Sequence, residues 1–281
     1  IRFGIAQAVT STQRSSAADA TLRSLTREPL IEPQLIRAQQ LLDLNRPEQA
    51  VGELGALLAQ EPDHHQAHVL LAIAAAQAGD QEQAEAAGRR AVEIDPDDAD
   101  SYVALGIALG DRRSRWGEAE QSFREAIQLD PSDARSHGLL AMMLGKRKAW
   151  KEMRAAAEEG LALDPEDELC VNMGAYALNS LGENVAATSA LEGHLRRDPE
   201  DPDTHANLGW SHLRAGEYQA ACASFREALR LAPSHEWARD GLKEALRASH
   251  WFYRPVLRFF LWISSFSGRT QMLILVGGWL G

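Results

Sequence analysis

The sequence predicts an all-α protein, a right-handed solenoid of about six helix-turn-helix repeats, and three observations support this prediction. Prolines recur every 34 or 35 residues, at Pro62, Pro96, Pro131, Pro165, Pro199 and Pro233. Small side chains recur with the same period, and a polar turn lies near the middle of most repeats. A fixed period of this length indicates one small supersecondary unit copied in series, an architecture that typically presents a binding surface.

The first helix of each repeat is predicted from its small and apolar positions. The eighth residue is small in all six repeats: Ala38, Ala72, Gly106, Ala141, Ala175 and Gly209. Apolar residues occupy most of the seventh and eleventh positions, for example Leu71 and Ala75. A spacing of four residues is typical of one helix face. Small side chains on that face would let a second helix approach closely.

The second helix is predicted to begin after a polar turn and to end before the recurring proline. The turns read Asn45-Arg46-Pro47, Gly79-Asp80, Gly182-Glu183 and Gly216-Glu217. Glycine can take the left-handed conformation that ends a helix, and the acidic residue after it suits the N-terminus of the next helix. The second helices are predicted to end at Asp95, Asp130, Asp164 and Asp198, because the residue before a proline is pushed out of helical dihedral angles.

These positions resemble those of the tetratricopeptide repeat (TPR) family. The sixth repeat carries the resemblance best, through Asn207-Leu208-Gly209-Trp210, Ala215-Gly216-Glu217-Tyr218, Ala221, Phe225 and Pro233. The third repeat is similar and contains the single insertion, between Gly110 and Gly117. The first, fourth and fifth repeats are looser: Met153 replaces the usual small residue, and His194 stands where Ala126 and Ala228 stand in the third and sixth repeats. The resemblance covers residues 31–235 and implies the fold stated above.

The repeat pattern divides the chain into four regions. Residues 1–30 form a lead-in with a short predicted helix. Six repeats follow, at residues 31–64, 65–98, 99–133, 134–167, 168–201 and 202–235. Residues 236–250 continue the helical period with more charge, as expected of a capping helix. Residues 251–281 form a hydrophobic segment with predicted apolar helices.

Composition and charge narrow the classes of function. Hydrophobic residues make up 45% of the chain, which is enough for a stacked core. The chain has 29 basic and 40 acidic residues, a formal net charge of -11, and this acidity argues against nucleic acid as a partner. The two cysteines, Cys170 and Cys222, occupy different positions in different repeats and predict buried thiols, not a disulfide framework.

The chain has no combination of residues that indicates catalysis. We therefore expect no enzymatic activity, no cofactor and no small-molecule substrate. His64, His65 and His68 have a spacing that can bind zinc. His68 nevertheless occupies a repeat position that His137 and His205 also hold, which gives it a packing explanation. The sequence therefore predicts no metal site.

The TPR resemblance implies that first helices line a concave groove, through the second, fifth, ninth, twelfth and thirteenth residues of each repeat. The candidate groove residues are Ile73, Ile107, Met142, Asn172, Tyr176, Asn179, Trp210 and Arg214. Aromatic anchors flanked by amides and cations suit a peptide or protein partner. The alternative is that these side chains pack between neighbouring first helices. The family's clamp for acidic carboxyl-terminal peptides is not matched, because Leu35 and Gln39 replace its basic residue and asparagine.

The segment 251–281 is predicted to contact a membrane. The residues expected to meet lipid are Trp251, Phe252, Tyr253, Arg254, Arg258, Phe259, Phe260 and Trp262. Residues 256–266 are too few to span a bilayer and suit a helix in the headgroup region. Residues 272–280 are wholly apolar and predict the first half of a transmembrane helix that continues beyond Gly281. The alternative is a hydrophobic hairpin that packs on the repeats or on a sister subunit.

Arginines near the apolar run predict the orientation. Arg254, Arg258 and Arg269 precede it, and short basic flanks tend to stay in the cytoplasm. The repeats are therefore expected to face the cytoplasm, and the alternative is a soluble cytoplasmic protein. The chain begins with Ile1 and not with methionine, which favours a fragment of a longer protein.

The sequence as a whole predicts a non-enzymatic, membrane-tethered scaffold. Its repeats are expected to bind a peptide or protein partner in the concave groove. The rival hypothesis is a regulatory TPR arm of a larger membrane enzyme or transporter whose catalytic part lies outside these 281 residues.

Overall fold

The structure, a computed structural model, describes residues 33–249, and every regular element in this range is helical. The helices are α1 (33–43), α2 (Pro47–Leu58), α3 (His65–Ala78), α4 (Gln81–Ile94), α5 (Ala99–Leu109), α6 (Trp116–Leu129), α7 (Ala134–Lys146), α8 (Trp150–Leu163), α9 (Glu168–Leu181), α10 (Asn184–Leu195), α11 (Pro202–Ala215), α12 (Tyr218–Leu231) and α13 (Glu236–Ser249). Each predicted repeat contains two of them. The all-α prediction is confirmed.

The helices form two compact bodies that divide between Ser136 and His137, near the start of α7. In the N-terminal body, α3 packs against α2, α4 and α5. In the C-terminal body, α9 packs against α8, α10 and α11, and α11 packs against α10, α12 and α13. A first helix therefore contacts helices of its own repeat and of the neighbouring repeats within its body, as expected where each repeat buries its apolar face on the next.

The turns between paired helices have the predicted left-handed residue. Gly79, Gly182 and Gly216 have φ angles of 84°, 87° and 81°. In two other repeats Asn45 (φ 53°) and Lys148 (φ 61°) take the same conformation without glycine. Glycine adopts this region without the steric cost that a Cβ brings. The prediction for the three glycine turns is confirmed.

Three second helices end in extended backbone where the sequence predicts it, whereas α10 ends at Leu195, before the predicted Asp198. The residues before Pro96, Pro131 and Pro165 have φ and ψ near -130° and 95°: Asp95 (-136°, 95°), Asp130 (-126°, 88°) and Asp164 (-130°, 103°). Each donates its backbone N–H to the carbonyl four residues earlier, which closes the last helical turn. The proline then prevents continuation because its ring excludes the helical conformation of the preceding residue.

The residue just before a first helix caps it. Asp98 accepts a hydrogen bond from the Ser101 N–H at 2.8 Å, and Asp167 accepts one from the Cys170 N–H at 2.7 Å. His64 performs the same task through Nδ1, which accepts from the Ala67 N–H at 3.3 Å. These caps satisfy backbone donors that a helix leaves free at its N-terminus.

Small residues at the eighth position of the repeat allow close helix packing. A Cβ added at Gly106 would lie 2.7 Å from the Phe123 ring, and one at Gly209 would lie 2.6 Å from the Phe225 ring. Both phenylalanines have no exposed surface. The third and sixth repeats thus pack in the same way: a phenylalanine of the second helix fills the space beside a glycine of the first helix.

The irregular positions of the array are accommodated locally. Met153, at a position that holds alanine in the other repeats, is fully buried against Gly145, where an added Cβ would approach its sulfur to 3.0 Å. The insertion after Gly110 contains a short 3-10 helix at Arg113–Arg115. Trp116 closes this turn by donating its Nε1–H to the Gly110 carbonyl at 3.0 Å.

No helix within residues 33–249 is long and apolar enough to cross a membrane. The predicted lead-in at residues 1–30 and the predicted membrane segment at residues 251–281 lie outside the described residues.

Candidate functional site

The ninth residues of the repeats give each of the two bodies a partly exposed apolar surface on its first helices, the ninth-position surface. Ile73 and Ile107 lie in the N-terminal body; Met142, Tyr176 and Trp210 lie in the C-terminal body. All five side chains are half-buried, whereas the eighth-position residues beside them are buried. The ninth position therefore offers apolar surface to solvent where the eighth contributes only to the core.

Tyr176 of α9 is the centre of a small cluster that also contains Trp150 of α8 and Arg214 of α11. The Trp150 ring meets the Tyr176 ring edge to face, with 5.7 Å between centroids. The guanidinium of Arg214, on α11, lies 5.8 Å from the Tyr176 centroid. Arg214 is exposed, and it forms no ion pair with any residue of the described range. A cation over a tyrosine face is attracted by the ring quadrupole, so the pair forms a pre-arranged polar and aromatic surface.

Trp210 is held from both sides by aromatic rings. It contacts Phe225 edge to face with a centroid distance of 5.5 Å, and Trp237 of α13 at 4.8 Å in a tilted arrangement. Trp237 itself is 46% exposed. Part of the predicted Trp210 surface is thus covered by the capping helix, and Trp237 carries the exposed aromatic surface instead.

The two asparagines predicted for the groove are buried between α9 and α11. The Asn172 Oδ1 accepts hydrogen bonds from Thr204 Oγ1 at 3.1 Å and from Asn207 Nδ2 at 2.9 Å. Asn179 Nδ2 donates to Ser211 Oγ at 2.6 Å. Both amides thus join neighbouring first helices, as the packing alternative for the groove residues expects. Sequence reasoning did not pair them with these partners, which stand about one repeat further along the chain.

Three carboxylates meet at the N-terminal ends of α9 and α11. One oxygen each from Glu168, Asp201 and Asp203 lie within 4.8 Å of one another. Partial burial, together with the negative charges of Asp201 and Asp203, raises the pKa of Glu168 to about 7. Two histidines flank this acidic cluster: His194 Nε2 lies 3.6 Å from Asp201 Oδ2, and His235 Nε2 lies 2.9 Å from Asp203 Oδ1.

The histidines with zinc-like spacing have separate structural partners. The Nε2 of His65 is hydrogen-bonded to Ser101 Oγ at 2.6 Å, and that of His68 to the Pro62 carbonyl at 2.8 Å. His205 makes the same contact with the Pro199 carbonyl at 3.0 Å. The recurrence of this bond in two repeats explains a histidine at the fourth position by local structure.

An apolar cleft of about 430 Å³ lies between α8, α9 and α10. Its lining includes Leu161, Val171 and Leu178, and two arginines, Arg154 and Arg197, border it. Arg154 is ion-paired with Glu158 at 2.6 Å and with Glu183 at 3.1 Å. This cleft is separate from the ninth-position surface, and sequence reasoning did not predict it.

Family models described as tetratricopeptide repeat match residues 37–99 and residues 202–235. These two segments are therefore similar to tetratricopeptide repeats. The matched ranges include the second repeat of the N-terminal body and the sixth repeat, in which the sequence showed the resemblance most fully. No curated protein matches the chain.

Three solved structures are similar to this chain in fold. A tetratricopeptide repeat protein from Parabacteroides merdae aligns with a TM-score of 0.64 and 15% identity, over 77% of this chain and 84% of that one. PilW, a type IV pilus biogenesis factor, aligns with a TM-score of 0.62 and 18% identity, over 76% and 98%. A chain of the APC/C hetero-tetramer Cut9-Hcn1 aligns with a TM-score of 0.62 and 19% identity, over 76% of this chain but only 42% of that one. At these identities the likeness concerns the fold.

Proposed function

We propose that this protein is a non-enzymatic scaffold whose repeats bind a peptide or protein partner through the ninth-position surface. The observation that carries the proposal is the partial exposure of an apolar side chain at this position in five successive repeats. A residue that served only the core would be buried, as the eighth position is. Partner binding through the concave face is also what the TPR resemblance implies.

The Tyr176 cluster suggests what the partner presents there. Tyr176 and Trp150 supply apolar area with few rotatable bonds, which makes them good anchors for a partner side chain. Arg214 adds an exposed positive charge in an acidic protein, and it has five donors available for a carboxylate. We therefore expect the bound segment to place an apolar side chain on Tyr176 and a neighbouring acidic group against Arg214.

The test begins with peptides selected from a random displayed library on the immobilised protein. Their affinity for the wild-type chain and for the Tyr176→Ala and Arg214→Ala variants is then measured by fluorescence anisotropy. We expect each substitution to weaken binding by about tenfold, since loss of an anchor contact costs roughly 1 to 2 kcal/mol. Arg226→Ala is the matched control, because Arg226 is an exposed arginine on the second helix α12.

The control variant should bind like wild type, and circular dichroism should show unchanged helicity in all variants. Trp210 is a poor choice for this test because it packs against Phe225 and Trp237, so its removal would disturb the fold. Selected peptides that bind the Tyr176→Ala and Arg214→Ala variants as tightly as wild type would contradict the proposed surface.

We further propose that residues 251–281 tether the repeats to a membrane, with the repeats on the cytoplasmic side. The support is compositional: the segment has several aromatic and aliphatic residues and three arginines, and acidic residues are absent after Glu244. We expect the full chain to float with liposomes in a density gradient and a chain ended after Ser249 to remain in the soluble fraction. A full chain that stays soluble in low-salt buffer would contradict the tether.

A further inference from the structure

The fifth repeat departs from the repeat pattern at three positions that line the apolar cleft between α8, α9 and α10. The first is the seventh position of the repeat. Leucine occupies this position in four other repeats: Leu71, Leu105, Leu140 and Leu208. The fifth repeat has Gly174 there, on the side of α9 that lines the cleft. A Cβ added at Gly174 would meet the Ala157 Cβ at 3.5 Å, an ordinary contact. No clash therefore excludes leucine, and its absence enlarges the cleft.

The second departure lies on α10. Gly193 lines the cleft, and the same position has a long charged side chain in four other repeats: Arg90, Glu125, Glu159 and Glu227. A side chain of that length on the wall of the cleft would cover part of it. Gly174 and Gly193 therefore both widen the cleft, one from the side of α9 and the other from the side of α10.

The third departure adds a positive charge. Arg197 borders the cleft at a position that is apolar in four other repeats: Ile94, Leu129, Leu163 and Leu231. Its ion pair with Glu166 is 3.7 Å long, which is too long for a hydrogen bond, and both side chains are at least half exposed. Such a pair contributes little, and within residues 33–249 the guanidinium donates no hydrogen bond. Its N–H donors are therefore available to a ligand.

The cleft is elongated, and its two ends differ in charge. Its lining on α8 extends from Arg154 to Leu161, about 10 Å of helix. Arg154 lies near the start of α8 and pairs at 3.1 Å with Glu183, the residue before α10. Arg197 lies beyond the end of α10 and near Glu166, which follows α8. The two arginines therefore stand at opposite ends of the cleft, and the one beyond α10 has the weaker ion pair.

We propose that this cleft binds a fatty acid, with the alkyl chain between α8, α9 and α10 and the carboxylate against Arg197. A cleft of about 430 Å³ is in the size range of small-molecule sites, which are mostly apolar with a few polar groups that orient the ligand. An unbranched chain suits an elongated apolar cleft, and its burial supplies binding energy in proportion to its length. A carboxylate matches the planar donor fork of arginine. This site is independent of the ninth-position surface proposed for the partner.

Isothermal titration of the full chain with decanoate tests the proposal, with octanoate and the neutral decanol as comparisons. We expect one decanoate per chain. Octanoate should bind about tenfold more weakly, because it buries two fewer methylene groups. Decanol should also bind about tenfold more weakly than decanoate, because it lacks the charge that pairs with Arg197.

Two variants restore residues that other repeats have at the same positions, and they are therefore expected to fold. Gly174→Leu places a leucine side chain in the cleft and should weaken decanoate binding by at least about tenfold, since it displaces part of the alkyl chain. Arg197→Leu should weaken decanoate binding by about tenfold and change decanol binding little. The contrast between the two ligands separates loss of the charge from a change in the shape of the cleft.

The matched controls make the same substitutions outside the cleft. Gly55→Leu alters an exposed glycine of α2, and Arg226→Leu alters an exposed arginine of α12. Both should bind decanoate like the wild-type chain, and circular dichroism should show unchanged helicity in all variants. The absence of saturable decanoate binding, equal affinity for decanoate and decanol, or binding that Gly174→Leu and Arg197→Leu leave unchanged would overturn the proposal.

Discussion

The junctions α3–α5 and α9–α11 use the same repeat positions to join neighbouring first helices, but at the fifth position the contact is apolar in one and polar in the other. At the fifth position the α3–α5 junction has Val69, which is 3% exposed, where the α9–α11 junction has Asn172. The residues opposite differ in the same way, with Ala104 at one junction and Asn207 at the other. Neighbouring first helices can therefore pack through an apolar or a polar contact at this position.

The two kinds of contact differ in what they specify. Val69 and Ala104 belong to one apolar cluster, and such contacts depend little on direction. Asn172 binds Thr204 and Asn207 through hydrogen bonds that require a particular alignment of α9 and α11. The polar junction therefore fixes the register of two helices whose N-terminal ends meet at the acidic cluster of Glu168, Asp201 and Asp203.

The largest expected effect comes from making the α9–α11 junction resemble the apolar one at a single position. Asn172→Val removes the acceptor for Thr204 Oγ1, a hydroxyl on a fully buried residue. A buried donor left without a partner costs about 2 kcal/mol. We expect the unfolding midpoint to fall by about 4 to 8 °C, measured by circular dichroism, because each kcal/mol shifts it by about 2 to 4 °C in a chain of this size.

The double variant Asn172→Val with Asn207→Ala sharpens this prediction. It removes the second polar group that Asn172 satisfied and reproduces Val69 and Ala104 of the α3–α5 junction at these two positions. We expect it to recover part of the lost stability relative to the single variant. If Asn172→Val alone unfolds at the wild-type midpoint, the hydrogen bonds of Asn172 do not hold α9 to α11.

The features that sequence predicted correctly are local ones. Gly79 ends its helix and Asp95 ends the next because a left-handed turn and a following proline act on residues adjacent in the chain. The glycine at 209 was predicted to permit close packing, and Phe225, 16 residues later, fills that space. Period and turn chemistry are sufficient for such positions, because one repeat contains all the residues concerned.

Contacts between repeats could not be predicted in the same way. Asn172 meets Thr204, and Glu168 meets Asp201, across 32 and 33 residues of sequence. Which side chains face each other depends on the angle between successive first helices, and the repeat period does not contain that angle. For the same reason the sequence did not show that Trp237 would cover Trp210 or that the bodies would divide at Ser136.

A smaller effect is expected from placing a carboxylate in the α3–α5 junction at the position that Glu168 holds in the α9–α11 junction. His65 bonds Ser101 and lies 3.5 Å from Asp98 Oδ2, where the α9–α11 junction has Glu168 beside Asp201. His65→Glu would remove the hydrogen bond and add a third carboxylate beside Asp98 and Asp100. We expect a loss of about 1 to 2 kcal/mol in the free energy of unfolding at pH 7, measured by urea denaturation.

The pH dependence of that loss distinguishes charge repulsion from a merely disturbed contact. Partial burial, followed by the charges of Asp98 and Asp133, already raises the pKa of Asp100, and His65 opposes this shift. A carboxyl whose pKa is raised in the folded state binds protons more readily there than in the unfolded chain. The stability deficit of His65→Glu should therefore shrink as the pH falls from 7 toward the carboxyl range. The control His65→Gln adds no charge, so its smaller deficit should not shrink in this way over the same range; equal pH profiles for both variants would show that repulsion is not the cause.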